Sequence, residues 1–137
     1  MSAVPRARVA AGAAALLLAL AAVTGGCRRD VDYEREASLM THGGDPAKGR
    51  ALIQQYGCGS CHKIPGVPGA TGGVGPSLAG LQTQSYIAGV LQHTPDNLVR
   101  WVRDPQGVDP RTAMPNLDVS ERDARHIVAY LYTIKPL

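Results

Sequence analysis

Five neighbouring residues, Cys58-Gly59-Ser60-Cys61-His62, have the types and the spacing to do chemistry. Two thiols three positions apart stand on one turn, and an imidazole follows at once. Thiols so placed can add to the two vinyl groups on one edge of a porphyrin, and the histidine is then held beneath the iron. C-x-x-C-H in an exported chain is therefore an attachment site for a c-type haem. The thioethers keep the haem from leaving, and His62 becomes the proximal ligand. Two other uses of C-x-x-C compete. A thioredoxin-like redox pair needs a surrounding βαβ pattern, which the sequence lacks, and a structural zinc site needs a second ligand pair at zinc spacing. One covalently attached haem c, held by Cys58, Cys61 and His62, is the expected cofactor.

Iron in an electron carrier needs a sixth ligand that stays in both redox states, because a site that changes coordination reorganises at every transfer. Met40, Met114, His42, His93 and His126 are the candidates. Met114 lies 52 residues beyond His62, in Thr112-Ala113-Met114-Pro115, between two expected helices. Methionine usually fills cores, but a lone one in a polar, proline-flanked loop has little core to fill. Met114 is therefore the expected distal ligand, in the Met/His pairing known for this haem type, and its sulfur favours ferrous iron and a relatively high potential. Met40 and His42 fall before the first helix of the expected domain and are not expected to bind iron. For His93 and His126 a surface or satisfied-polar role is expected.

The elements that must position these groups read as helices. Asp45-Pro46 is an N-cap followed by proline at the first helical position, so a helix is expected over residues 46 to 56, with Leu52, Ile53 and Tyr56 inward and Gly57 ending it. Glycine and proline dominate from Ile64 to Gly80, a loop able to pass close to a flat surface. A short helix is expected around Ser85 to Leu91. Thr94-Pro95 starts another, with Leu98, Trp101 and Val102 on one face and Pro105 limiting it. Ser120-Glu121-Arg122-Asp123 is a capping box, and Ala124, Ile127, Val128 and Leu131 recur on one helical face before Pro136. No period-2 pattern is present, so the fold class is all-α. The chain has no Phe, one Trp and five Tyr; a large flat cofactor would supply the missing bulk.

Arg6 and Arg8 followed by the apolar run Val9 to Val23 read as a secretory signal over residues 1 to 26. The run is shorter than the ~20 residues of a spanning helix. Val23-Thr24-Gly25-Gly26-Cys27 resembles a bacterial lipoprotein processing site, although Thr24 stands where an aliphatic residue is usual. Two of the three cysteines are committed to haem, and an odd free thiol is a liability in an oxidising compartment, so lipidation of Cys27 is expected. The alternative is cleavage near Ala19-Leu20-Ala21, giving a soluble periplasmic protein with a free Cys27. Residues 27 to 44, rich in alternating charge, are expected to be a tether and residues 45 to 137 the domain. Without the two leader arginines, twelve basic residues face eleven acidic ones. A balance of +1 carries no nucleic-acid footprint.

The order of parts resembles the class I cytochrome c family over about residues 45 to 137. That resemblance implies three to five helices wrapped around one haem. It places Gly49 and Ile53 of the first helix against Ile127 and Tyr130 of the last, and puts Met114 on the distal-ligand loop. It implies that the Pro76 carbonyl, within Gly75-Pro76-Ser77-Leu78, accepts the His62 Nδ1 proton, that Leu78 contacts a haem face, and that Trp101 stands where a tyrosine often lies beside the methionine sulfur. The chain departs from the family after Gly80-Leu81. Gln82-Thr83-Gln84 stands where an arginine often pairs with a propionate.

The expected function is single-electron transfer by Fe(II)/Fe(III) cycling in a bacterial respiratory chain, with no substrate and no enzymatic activity of its own. The expected partner is a membrane-bound redox protein such as a terminal oxidase or a quinol-cytochrome c reductase, met on the periplasmic side of the membrane. An electron-entry subunit fixed in an oxidase or dehydrogenase complex is an alternative. A gas-binding haem sensor with an open distal position is a third reading.

Overall fold

A computed structural model describes residues 32–135. The leader, Cys27 and Pro136 lie outside them. Among the described residues five helices surround one apolar core: α1 (Tyr33–Met40), α2 (Pro46–Gln55), α3 (Pro95–Arg103), α4 (Pro105–Val108) and α5 (Glu121–Thr133). Three of them start as their sequences dictate. The Asp45 carboxylate accepts from the Ala47 and Lys48 amides at the start of α2, Thr94 Oγ1 accepts from Asn97 on α3, and Ser120 Oγ accepts from Asp123 on α5. Ala124, Ile127, Val128 and Leu131 of α5 are all buried.

The crossing of α2 over α5 organises the domain. Gly49 and Ile53 are buried on α2, and a Cβ at position 49 would run into the His126 carbonyl of α5. Only a glycine lets the two backbones come so close. The crossing is pinned at both ends. The Asp45 amide donates to His126 Nδ1 at 2.8 Å, and the Tyr56 hydroxyl donates to the Asp123 carboxylate at 3.0 Å. Tyr56 marks the end of α2, so this bond sets where the chain enters the C-x-x-C-H turn.

Two sequence expectations are corrected. Residues 33 to 44, expected to be part of a tether, belong to the folded domain. The Asp32 side chain caps α1 by accepting from the Arg35 amide, and Ala37 and Thr41 are buried where α1 packs on α5. Glu34, Arg35 and Glu36, among the charges that suggested a tether, are exposed on that helix. The short helix expected around Ser85 to Leu91 is instead a hairpin, with β1 (Tyr86–Ile87) antiparallel to β2 (Leu91–Gln92). Ala88 and Gly89 both take positive φ, +49° and +75°. Two successive left-handed residues reverse the chain tightly and cannot continue a right-handed helix. Pro105 does limit α3, and it also opens α4, whose first turn is capped by the Asp104 carboxylate.

Candidate haem-attachment site

Gly57, at φ +71°, breaks α2, and Cys58–Ser60 continue as a single 3₁₀ turn. The turn is closed by His62 N–H donating to the Cys58 carbonyl at 3.0 Å and by the Ser60 hydroxyl donating to that of Gly57 at 2.7 Å. Cys58 and Cys61 are half-buried free thiols, not a disulfide. Burial pushes the Cys58 thiol above its ordinary value.

The glycine-rich segment after the motif folds back over it. Gly72 donates to the Gly59 carbonyl at 3.1 Å, Gly75 to that of Cys61 at 2.8 Å, and Leu78 to that of Lys63 at 3.0 Å. A Cβ on Gly75 would strike the His62 ring. The bare backbone therefore lies against the imidazole and delivers the Pro76 carbonyl oxygen 2.8 Å from Nδ1. A carbonyl only accepts, so Nδ1 carries the proton and Nε2 keeps its lone pair. That tautomer is the one a metal-binding histidine needs, and the bond fixes the ring plane. Ile64, Val67 and Ala70 bury inside this loop, and Tyr130 of α5 clamps it by donating to the Pro65 carbonyl at 2.8 Å.

Met114 is held by a run of local turns. Thr112 N–H donates to the Asp109 carbonyl at 3.0 Å, Met114 N–H to the Thr112 hydroxyl at 3.2 Å, and Asp118 N–H to the Asn116 side chain at 2.9 Å. Met114 is half-buried and packs, with Cys58 and Leu78, against the core that contains Trp101. The indole N–H of Trp101 makes no hydrogen bond among the described residues, so packing is the contribution visible for that side chain. A hollow of about 460 Å³ beside this loop is lined by Arg100, Arg103, Asp104, Asn116, Asp118 and Val119. It is polar and lies away from the C-x-x-C-H turn.

The other candidate ligands are otherwise engaged. Met40 is exposed at the end of α1, His42 pairs with Asp96 at 3.5 Å, and His126 caps α2. His93 was expected to be a surface or satisfied group and is neither, since both ring nitrogens are buried without a partner. Sequence reasoning also missed the Tyr130 and Tyr56 hydroxyl bonds, whose residues had been read only as apolar packing.

The donor set fits a covalently attached haem: two free thiols on one turn, an imidazole in the ligand tautomer, and a thioether on a separate loop against the same core. Among the described residues no three or more His, Cys, Asp or Glu side chains converge as a metal cluster. No helix among them is long and apolar enough to cross a membrane.

Residues 44–131 match the family described as cytochrome c oxidase, cbb3-type, subunit III. Over 89 residues the chain is 34% identical to cytochrome c oxidase subunit 2 of Alkalihalophilus pseudofirmus, covering 64% of this chain and 25% of that protein. Over 96 residues it is 31% identical to cytochrome c oxidase subunit 2 of Bacillus sp. strain PS3, covering 66% of this chain and 27% of that protein. The chain thus spans about a quarter of the length of these relatives.

Proposed function

The chain belongs to this cytochrome c family, with its all-α fold and covalently attached haem c, and from that premise we propose that it is a monohaem electron carrier delivering single electrons to a membrane-bound oxidase. The observation that carries the reading is the His62 Nδ1–H to Pro76 carbonyl bond, because it prepares Nε2 for iron beside two unpaired thiols. Cys58 and Cys61 would hold the haem through thioethers, His62 and Met114 would ligate its iron, and Leu78 and Trp101 would pack against it. When bound, the haem supplies a one-electron Fe(III)/Fe(II) couple.

The chain's own residues supply rigidity. The Pro76 carbonyl keeps the imidazole basic and fixed in angle. Thr112 and Asp109 hold the Met114 backbone in place, and Met114 packs on the core that contains Trp101. Ligands held in this way would limit reorganisation between the two oxidation states. Transfer is outer-sphere, through a rim formed by residues 63 to 75 and 112 to 116, whose single charge is Lys63. Lipid on Cys27 would hold the domain on the periplasmic side of the membrane.

A second reading is favoured by the relatives themselves, both oxidase subunits. In it the domain is an electron-entry part of an oxidase complex and not a free carrier. An optical spectrum of the reduced protein with and without carbon monoxide tests the axial assignment. Unchanged bands are expected for a closed six-coordinate site, and a carbon monoxide complex in the native protein would replace the carrier with a ligand-binding haem. Co-purification with a copper- or haem-containing oxidase separates the free carrier from the subunit.

A further inference from the structure

We propose that Gln82 and His93 form the polar seat of a haem propionate, at the place where this chain lacks a fixed cation. The inference rests on haem attachment at Cys58 and Cys61. Among the described residues, the buried side-chain nitrogens and oxygens without a hydrogen-bond partner are Gln82 Oε1, both ring nitrogens of His93, and Arg125 Nη1. The last lies 3.6 Å from the Asp96 carboxylate. The true orphans therefore fall in one short stretch of chain. Leaving a buried polar group unpaired costs about 1–3 kcal/mol, and native proteins pair such groups or use them.

The two residues lie on one segment that the fold ties together. Gln82 sits in the 3₁₀ turn Leu81–Thr83 that leads into the hairpin, and His93 leaves it. The His93 amide donates to the Ser85 carbonyl at 3.0 Å, tying the two ends of the segment together. The turn packs on α5, and the Tyr132 ring of α5 lies 5.7 Å from the imidazole.

The remaining walls of the site are assigned. Cys58 and Cys61 would fix the vinyl edge of the porphyrin, with His62 and its loop on one face and the Met114 loop on the other. Propionates leave a haem from the edge opposite its vinyls. The segment from Leu81 to His93, which carries the unpaired groups, would close that edge.

The chemistry matches. A carboxylate only accepts, and an imidazole N–H and a carboxamide NH₂ both donate, the amide by turning about its last torsion to present Nε2 in place of Oε1. Burial holds His93 below its ordinary range, and in either protonation state the ring has an N–H to give. Donors on a propionate draw its negative charge away from the iron and so favour the ferrous state.

The test uses holoprotein of His93→Phe, Gln82→Leu and His93→Gln, with the midpoint read by spectroelectrochemistry and the propionate bending band by resonance Raman. Each of the first two should shift the redox equilibrium at fixed potential about threefold toward ferric, a drop of ~30 mV, and move the propionate band. His93→Gln, which keeps a donor, should restore most of the loss. An unchanged midpoint and band in both His93→Phe and Gln82→Leu, with the haem still covalent, would overturn the proposal. Where His93→Phe yields no holoprotein, Gln82→Leu decides by the same two readouts. A native protein without covalent haem would defeat the attachment reading instead.

Discussion

Gly49→Ala isolates the helix crossing that sets the attachment turn. The added methyl would lie 2.6 Å from the His126 carbonyl carbon and 3.0 Å from Tyr130 Cβ, against an ordinary carbon contact of about 3.5–4.0 Å. The helices must therefore part by roughly 1 Å, and the obstacle is backbone that cannot rotate away. It is also pinned by the Asp45 amide on His126 and by Tyr56 on Asp123. Overpacking costs about 1–3 kcal/mol, and a rigid neighbour puts this case at the upper end. Alanine recovers about 1 kcal/mol of helix propensity. The net is destabilisation by about 2 kcal/mol, which for a domain of this size lowers Tm by roughly 8–16 °C. Thermal melts followed by far-ultraviolet circular dichroism on the ferric holoprotein measure it. The midpoint should hold, since the crossing carries no proposed iron ligand. An unchanged or raised Tm would mean that propensity decides and that close approach at position 49 is not needed.

Met114→Ala should keep covalent haem but lose the weak sulfur-to-iron charge-transfer band, lower the potential and admit carbon monoxide; the same outcome from Met40→Ala instead would move the distal ligand. Cys27→Ser should release the protein from membranes, and a mature N-terminus away from Cys27 by mass spectrometry would remove the lipid from the account. Hydrogen bonds from Tyr56 and Arg125 hold the Asp123 and Glu121 carboxyls below their usual range. The stability they supply is complete above the unfolded values of about 4 and is lost as pH falls through the lowered folded values. Tm should therefore drop on acidification below about pH 4, less steeply in Asp123→Asn and in added salt. With Lys63 the only charge on the proposed docking rim, the bimolecular transfer rate of an untethered domain should depend only mildly on ionic strength; a steep fall with salt would place the contact elsewhere.

The helices that carry the site were legible because their signals are local. Asp45-Pro46, Thr94-Pro95 and the Ser120 box each place a cap beside an apolar face, and all three open helices where read. The hairpin was not legible, since its cause is a pair of left-handed residues of which one, Ala88, carries no such preference. Nor was the inner packing of the glycine loop. Ile64, Val67 and Ala70 are too widely spaced among glycines and prolines to show a period, and they bury only because the loop closes on itself through the Ile64 amide and the Ala70 carbonyl. At the site, the residue types announced the thiols and the imidazole. The half-buried Gln82 and His93 gave no signal, because a lone glutamine and a lone histidine in polar sequence read as surface.

The misread tether bears most on function. Its charges are alternating and its apolar content low, which is how a solvated linker looks, but Ala37 and Thr41 suffice to seat α1 on α5, with the Thr41 hydroxyl donating to the Ala37 carbonyl at 2.7 Å. Asp32 already caps that helix. The folded domain therefore begins at Asp32, five positions after Cys27, and not at residue 45. If Cys27 carries the proposed lipid, so short a sequence separation would confine the proposed carrier to partners close to the same membrane. Confinement of that kind raises the effective concentration of the partner without any contact energy. A rim with the single charge of Lys63 would then be sufficient for docking, because encounter would not depend on long-range steering.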